Sequence, residues 1–368
     1  MNINPRLTVV LPVYNGEKYL TESIESVIGQ DYGDFELIIV DDHSEDHSTE
    51  IIKSYLGKDS RIKYIHNTKN EGLPYSLNKG FSISKGEYLT WTSDDNLYHK
   101  DAFGRMVSYL DSNPHCGLVY ANMNLIDAWG NVIGSRTGGD CNIYKNDCVG
   151  ACFMYRRICK ETIGDYNESR ILVEDYDYWL RIASKYDIQN IPETLYDYRF
   201  HNDSLTIKKI RKVGKQLTDL RKDYIQEIAN KVDEGTFQEI LFDMLVCEGE
   251  EIQKYIKDCD LDIDSVINRK REVSSKTVWL FGAGGLGRAA LQILSNLEIC
   301  GFIDNDERKI GSKIQGKQVI SLNEFLTKED NSTVVICTEL RYAYHIMKQL
   351  KKSGVYDVVL LYDIADET

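Results

Sequence analysis

The sequence predicts an α/β protein with two sheet-containing domains and a helical segment between them. In the first two hundred residues, apolar β-branched runs alternate with amphipathic segments of helical spacing, which is typical of a mostly parallel sheet covered by helices. The same alternation begins again near residue 277, after a stretch rich in charged residues. A chain of 368 residues is also long for one hydrophobic core. We therefore expect a first domain over residues 1–206, a helical connector over 207–274 and a small second domain over 275–368.

In the first domain, strands are expected to alternate with helices in the order of the chain. Asn15 and Gly16 interrupt the first apolar run, and apolar residues at helical spacing follow from Leu20. In a parallel sheet of this kind, ligands collect at the carboxyl ends of the strands, because loops and helix N-termini converge there. The four expected strands cover residues 7–13, 35–40, 61–66 and 87–91.

The composition is that of a folded, acidic protein. Hydrophobic residues make up 42% of the chain, charged residues 28%, and the formal net charge is −14, which disfavours nucleic acid as the main partner. No apolar run approaches the roughly 18 residues that span a bilayer, and the first residues lack the pattern of a signal peptide. We expect a cytoplasmic protein without a transmembrane segment. Nine scattered cysteines fit reduced thiols better than a disulfide framework.

Three acidic pairs are the candidates for chemistry. A carboxylate at a strand end can accept hydrogen bonds from a nucleobase or ribose, and hard carboxylate oxygens suit Mg²⁺ or Mn²⁺ shared with substrate phosphates. A carboxylate at a helix N-terminus is kept ionised by the helix dipole and can act as a general base. Asp41 with Asp42 is the candidate for the nucleobase or ribose, and Asp94 with Asp95 is the candidate for the metal ion. Glu174 with Asp175 is the candidate for the general base.

Each pair also has a purely structural interpretation. Asp41, Asp42 and Ser44 could form turns and cap a helix that starts near Ser48. An S-D-D-N segment could be a solvated turn, and acidic residues in a first helical turn are common. The residues alone leave both interpretations open, and the order of the three sites along the chain favours a shared function.

Five short segments occur in a recognisable order. They are VVLPVYN from residue 9, FELIIVDDHS from 35, GEYL from 86 with SDDN from 93, EDYDYW from 174 and YRFHNDS from 198. Together they resemble glycosyltransferase family 2 over about residues 5–205, and TSDDNLY from residue 92 is similar to the spore-coat polysaccharide type of that family. The resemblance implies a GT-A fold, an inverting single displacement and a Mn²⁺ or Mg²⁺ ion that bridges the donor diphosphate.

The same resemblance assigns roles to residues by motif. Asp95 is implied as the principal metal ligand, and Asp175 as the base that takes the acceptor proton. Arg199 and His201 are implied to close over the diphosphate, although a structural ion pair of Arg199 stays open. Ser93 stands where many members carry an acidic residue, which makes metal dependence a weaker expectation than nucleotide binding. The implied nucleotide-binding residues are Pro12, Tyr14, Asn15, Asp41, Asp42 and Asp94.

The second domain carries a glycine pattern between an expected strand and an expected helix. Gly282, Gly284 and Gly287 have the G-x-G-x-x-G spacing, and Asp304 follows 22 residues after the first of them. This context matches a dinucleotide fingerprint, in which a pyrophosphate approaches a helix N-terminus. We expect a small Rossmann-like domain with these four residues as its candidate ligand site. Such modules also occur attached to polysaccharide-biosynthesis enzymes.

The function expected from the sequence is sugar transfer from a nucleotide-diphosphate donor to a saccharide or lipid-linked acceptor in surface polysaccharide biosynthesis. Peripheral membrane contact is compatible with it. One alternative is an enzyme that modifies nucleotide sugars, or uses NAD(P), through the C-terminal domain. A second alternative, motivated by Ser93 and the attached module, is a non-catalytic scaffold that binds glycan or nucleotide.

Overall fold

The computed structural model describes residues 4–139, 142–200, 210–248, 272–328, 332–338 and 340–364. The chain divides into two compact units, Met1–His201 and Asn202–Thr368. Each unit has its own sheet and its own hydrophobic core. The domain limits expected from the sequence stay a prediction, because the segment over residues 249–271 lies outside the described part.

The first unit contains a nine-stranded mixed sheet in its described part. Its strands are β1 (Leu7–Val13), β2 (Phe35–Asp41), β3 (Ile62–His66), β4 (Tyr88–Trp91), β5 (Leu97–Tyr98), β6 (Cys116–Ile126), β7 (Val132–Arg136), β8 (Phe153–Arg156) and β9 (Asp187–Arg199). Its helices are α1 (Leu20–Ile28), α2 (Ser48–Tyr55), α3 (Leu73–Ser82), α4 (Ala102–Ser112), α5 (Arg157–Ile163) and α6 (Glu174–Ala183).

The strand order explains where a site can form. The order is β3-β2-β1-β4-β8-β6-β9-β5, with β7 paired to β6. The pairs β1–β2, β2–β3 and β1–β4 are parallel, so the loops after β1, β2 and β4 leave the same edge of the sheet. The four strands expected from the sequence are confirmed. Strand β8 is antiparallel to both β4 and β6, which makes the second half of the sheet mixed.

Burial accounts for these elements. Every residue of β2 is buried, as its continuous apolar run predicts for a strand covered on both faces. Helix α1 turns Leu20, Ile24 and Val27 toward the core, at the spacing of one helical face. Together with the buried side chains of β1 and β4, these residues fix the positions of the loops at the sheet edge.

An aromatic cluster holds α6 against the sheet. The Trp91 indole N–H donates to the Tyr166 hydroxyl at 3.1 Å, and Tyr166 stacks on Tyr178 with ring centroids 3.9 Å apart. The rings of Phe153 and Trp179 lie 4.4 Å apart. Helix α6 therefore starts at a position set by packed rings at the end of β4 and along β8.

The second unit has a six-stranded sheet in its described part. Its helices are α7 (Ile210–Lys231), α8 (Glu234–Glu248), α9 (Gly285–Ile293), α10 (Leu322–Leu326), α11 (Leu340–Lys352) and α12 (Leu361–Ile364), and its strands are β10 (Thr277–Phe281), β11 (Glu298–Ile303), β12 (Lys313–Ile314), β13 (Lys317–Ile320), β14 (Thr333–Ile336) and β15 (Val358–Leu360). The order β13-β11-β10-β14-β15 is parallel throughout. It matches the 3-2-1-4-5 arrangement of doubly wound dinucleotide folds.

The helical segment between the two sheets packs within the second unit. The Phe242 ring of α8 lies 4.8 Å from the Tyr344 ring of α11, and His345 hydrogen-bonds Glu239 at 2.9 Å. These contacts bury the apolar positions of α8. The sequence of α8 taken alone does not give a clear apolar face at helical spacing. Helices α7 and α8 therefore contribute to the core of this unit.

Two further expectations can be compared with the described part. None of the described helices combines the length and apolar character needed to cross a membrane. The expectation of reduced thiols holds for Cys116, Cys152, Cys159, Cys247, Cys300 and Cys337, which are free. It is wrong for Cys148, which is disulfide-bonded.

Candidate active site

Asp41 is the fully buried acid at the end of β2. Its carboxylate accepts hydrogen bonds from the Ser44 backbone N–H at 2.9 Å and from the Thr49 hydroxyl at 2.6 Å. The Tyr64 hydroxyl and the His66 ring lie 3.1 and 3.2 Å from Oδ2, the same oxygen that accepts from Thr49. Burial opposes ionisation of Asp41, but these hydrogen bonds outweigh it and lower its pKa. In this geometry Asp41 anchors the loop that follows β2.

Asp42 joins two loops beside that anchor. It is 4% exposed and accepts hydrogen bonds from the Asn67 side chain at 2.7 Å and from the backbone N–H groups of Glu71 and Gly72 at 2.9 and 2.7 Å. Gly72 has a φ of +92°, which favours glycine, and it directly precedes α3. Asp42 therefore connects the loop after β2 to the loop after β3, and both of its carboxylate oxygens already accept hydrogen bonds from that second loop.

The loop after β1 faces the same edge. Asn15 has a φ of +53°, and its backbone N–H donates to the Ser44 hydroxyl at 3.1 Å, while its side-chain oxygen accepts from the Glu45 N–H at 2.8 Å. Tyr14 is 48% exposed, and Pro12 lies half-buried at the end of β1. The structure thus brings the nucleoside-pocket residues expected from the sequence to one rim, with Tyr14 as the ring available for contact.

Asp94 lies directly against the loop after β1. A side chain at Gly16 would overlap the Asp94 carboxylate, so glycine is required there. Burial and the adjacent Asp95 raise the pKa of Asp94 to about 7, although the Tyr14 N–H opposes this shift. Two adjacent carboxylates at a loop fit a cation shared with a diphosphate. The described residues contain no group of three or more His, Cys, Asp or Glu that could hold a metal ion by themselves.

The buried Arg199 side chain hydrogen-bonds the backbone of the Asp94-Asp95 loop. It is 2% exposed; its Nε donates to the Asp95 carbonyl at 2.9 Å, and its terminal nitrogens reach Glu22 at 2.7 Å and the Ala128 carbonyl at 3.4 Å. Its guanidinium also lies 4.4 Å from the Tyr19 ring centroid. This arrangement favours the structural ion pair over direct contact with a diphosphate. His201, the other residue assigned to the diphosphate, lies outside the described residues.

Glu174 and Asp175 open helix α6, as expected, but their titration differs from the expectation. The helix dipole was expected to keep Asp175 ionised near neutral pH; instead burial, Asp147 and Glu174 raise its pKa well above the usual range. The Tyr176 N–H and the Arg136 charge oppose that shift. Burial likewise raises the pKa of Glu174 to about 7, and one of its carboxylate oxygens has no hydrogen-bond partner among the described residues. A carboxylate of raised pKa in this setting is a stronger base once it is ionised.

Two charged residues that act electrostatically on Asp175 were missed by sequence reasoning. Arg136 pairs with Asp147 at 3.7 Å and packs against Gly150, whose φ of +67° and close neighbours leave no room for a side chain. Asp147 also accepts the Val149 N–H at 3.1 Å and the Gly150 N–H at 3.3 Å. No motif marks this pair in the sequence. Gly150 is the signal that could have located it.

In the second unit, the glycine loop over residues 282–287 is hydrogen-bonded to Asp304. Gly282 has a φ of +113°, and a side chain at Gly287 would overlap the Gly282 carbonyl, so the tight turn requires both glycines. Gly284 has open space around it. Asp304 accepts the Ala283 N–H at 2.7 Å, so its carboxylate helps to hold the loop and is not directed only toward a ribose.

Comparison with known proteins agrees with this geometry. The family model for glycosyl transferase family 2 matches residues 8–163, and a second model, C2185-like N-terminal, matches residues 274–358. An uncharacterised glycosyltransferase of Methanocaldococcus jannaschii is 32% identical over 223 residues, which cover 56% of this chain and 75% of that protein. The putative glycosyltransferase EpsE of Bacillus subtilis is 33% identical, covering 55% and 76%.

Solved structures show the same fold at low sequence identity. TarS of S. aureus in complex with UDP-GlcNAc has a TM-score of 0.51 at 18% identity, covering 71% of this chain and 78% of that one. The mannosyltransferase PcManGT of Pyrobaculum calidifontis, in complex with GDP-Man and Mn²⁺, has a TM-score of 0.51 at 17% identity, covering 72% and 73%. These likenesses confirm the GT-A fold, and with the relatives above they establish that the chain belongs to glycosyltransferase family 2.

Proposed function

We propose that the chain transfers a sugar from a nucleotide-diphosphate donor to a hydroxyl of a saccharide or lipid-linked acceptor, with inversion, in surface polysaccharide biosynthesis. The observation that carries the proposal is the placement of Asp94 against Gly16, at the edge where the loops after β1, β2 and β4 meet. A donor held there has its nucleoside near Tyr14 and Asp42 and its diphosphate near Asp95. We place the reaction in the cytoplasm, where nucleotide sugars are made.

Asp95 is the proposed metal ligand, with Asp94 beside it. A bound Mn²⁺ or Mg²⁺ would supply charge neutralisation for the departing diphosphate. The residues of the chain position these carboxylates: Gly16 leaves room for Asp94, and Arg199 holds the Asp95 carbonyl at 2.9 Å. PcManGT, which shares the fold, is in complex with Mn²⁺, and this supports the assignment of a metal ion to the site.

Asp175 is the proposed base. The acceptor oxygen forms a bond to the anomeric carbon while the bond from that carbon to the diphosphate oxygen breaks, and the hydroxyl proton passes to the Asp175 carboxylate. Attack from the face opposite the leaving group inverts the anomeric configuration. The raised pKa of Asp175 supports this role, because the ionised carboxylate then has a high affinity for the proton.

The test is the thermal stability of the protein with UDP, GDP, dTDP, CMP or NAD(P), each with and without Mn²⁺. A ligand that binds only the folded state stabilises it by mass action and so raises the melting temperature. At a ligand concentration one hundred times Kd, the free energy of unfolding rises by about 2.7 kcal/mol. We expect a Mn²⁺-dependent shift with one nucleoside diphosphate, reduced in Asp95→Asn. A shift with NAD(P) alone would instead favour the alternative enzyme built on Gly282–Gly287.

A further inference from the structure

Trp129 is unlike the other tryptophans of this chain. It is 85% exposed, whereas Trp91, Trp179 and Trp279 are 8%, 0% and 6% exposed. It lies in the turn between β6 and β7, and Val132, which is 62% exposed, is the first residue of β7. A single exposed apolar side chain is ordinary, but an indole has a large apolar face whose exposure is unfavourable. Its surroundings decide whether it has a role.

The turn that presents Trp129 is held by a set of internal hydrogen bonds. One oxygen of Asp127 accepts the backbone N–H groups of Trp129 and Asn131, both at 2.9 Å. The Asn131 side chain donates to the other oxygen at 3.0 Å, and the Asp127 N–H donates back to the Asn131 carbonyl at 2.9 Å. Gly130 supplies the left-handed residue, with a φ of +87°. The backbone at Trp129 is therefore fixed, which lowers the entropy lost when a ligand packs on the ring.

The same turn is connected to the proposed donor site. The Arg199 guanidinium donates to the Ala128 carbonyl at 3.4 Å and to the Asp95 carbonyl at 2.9 Å, so one side chain bridges the residue before Trp129 and the proposed metal ligand. Strand β7 leads from the turn to Arg136, whose charge acts on Asp175. The β6–β7 hairpin therefore extends from the donor loop to the neighbourhood of the proposed base.

We propose that Trp129 is a stacking platform for a sugar ring of the acceptor saccharide, at a subsite away from the hydroxyl that reacts. This proposal rests on the proposed function. The axial C–H groups of a pyranose form an apolar face that packs on an indole, while the ring hydroxyls stay in water. Residues 126–135 contain no Lys or Arg, and the chain has a net charge of −14, so the turn lacks the basic residues that attract an anionic membrane.

The test uses the protein labelled with 5-fluorotryptophan, which gives one ¹⁹F signal for each of the four tryptophans. The Trp129 signal is the one missing in Trp129→Phe. We titrate maltotetraose, chitotetraose and the corresponding monosaccharides, and separately vesicles of phosphatidylethanolamine and phosphatidylglycerol. We expect a tetrasaccharide to shift the Trp129 signal and protect it from a soluble quencher, with the three buried tryptophans unchanged. Vesicles should leave the signal where it is.

Kinetics gives an independent measure once an acceptor is found. Trp129→Ala should raise the acceptor KM about tenfold with the donor KM unchanged, and Trp129→Phe should recover most of the loss. Tyr356→Ala, which removes a 71% exposed ring from the second unit, is the matched control and should behave as wild type.

A response to vesicles but not to saccharides would overturn the proposal, as would an unchanged acceptor KM in Trp129→Ala. Failure of the proposed function would look different: the wild type would bind no nucleoside diphosphate and show no turnover. The ¹⁹F titration measures saccharide binding at Trp129 directly, so it needs neither nucleotide binding nor turnover.

Discussion

Replacing Arg199 by methionine keeps an unbranched apolar stem about as far as the position of Nε but removes the guanidinium and its hydrogen bonds. The Asp95 carbonyl then loses the Arg199 donor at 2.9 Å, which costs about 1.5–3 kcal/mol for a hydrogen bond from a charged group. The cation over the Tyr19 ring contributes about 1 kcal/mol more. Glu22 is 55% exposed and regains water, so loss of that ion pair adds less than about 1 kcal/mol.

The sum is a destabilisation of about 3 kcal/mol, a large part of the roughly 5–15 kcal/mol that holds a typical domain. With a urea dependence of about 1–3 kcal/mol per molar, the unfolding midpoint of the first unit should fall by roughly 1–3 M. Arg199→Lys, which keeps the charge, should fall between wild type and Arg199→Met. Glu22→Gln should change the midpoint little.

The assay combines urea unfolding, followed by tryptophan fluorescence, with calorimetric titration of the nucleoside diphosphate in Mn²⁺. Our account predicts that stability and Mn²⁺-dependent binding decline together in Arg199→Met, because the Asp95 loop loses its support. A wild-type midpoint combined with a tenfold loss of diphosphate affinity would refute this reasoning. It would instead assign Arg199 to direct contact with the diphosphate, as the resemblance implies.

The remaining predictions concern the base and the β1 loop. Because burial and Asp147 raise the pKa of Asp175, the rate should decline toward acid at a higher pH than an ordinary aspartate allows. In profiles of kcat/KM against pH, Asp147→Asn should move that decline to lower pH and Arg136→Gln to higher pH; shifts in the same direction would contradict the assignment. Gly16→Ala should reduce Mn²⁺-dependent donor affinity at least about tenfold, because its methyl group overlaps the Asp94 carboxylate. Calorimetric affinities equal to wild type would contradict that expectation.

The parts of the fold that follow local patterns could be predicted from the sequence. Strands β1 and β2 are largely apolar runs, and the start of α6 is marked by Glu174. The mixed half of the sheet could not be predicted in the same way. Strand β5 has two residues, and β9 has no regular alternation of apolar and polar residues and pairs with partners about 70–100 positions away. Such pairings depend on tertiary packing, which local patterns do not contain.

The candidate site shows the same division. Asp42 and Asp94 leave the same edge of the sheet because they follow the parallel strands β2 and β4, and Asp175 opens the packed helix α6. The sequence did not show that Arg199 is buried, since only the folded chain places it under Asp95. It also gave the wrong direction for the titration of Asp175, because burial and Asp147 outweigh the helix dipole.

The most direct test of the central claim compares the wild type with Asp175→Asn, an isosteric change that removes the base. Nucleoside diphosphate release is followed with UDP- and GDP-sugars over a panel of saccharide acceptors, and donor affinity is measured by calorimetry on the same preparations. The account predicts turnover with one donor in the wild type, loss of at least about a thousandfold in Asp175→Asn, and equal donor affinity in both. Equal turnover in the two proteins would contradict it.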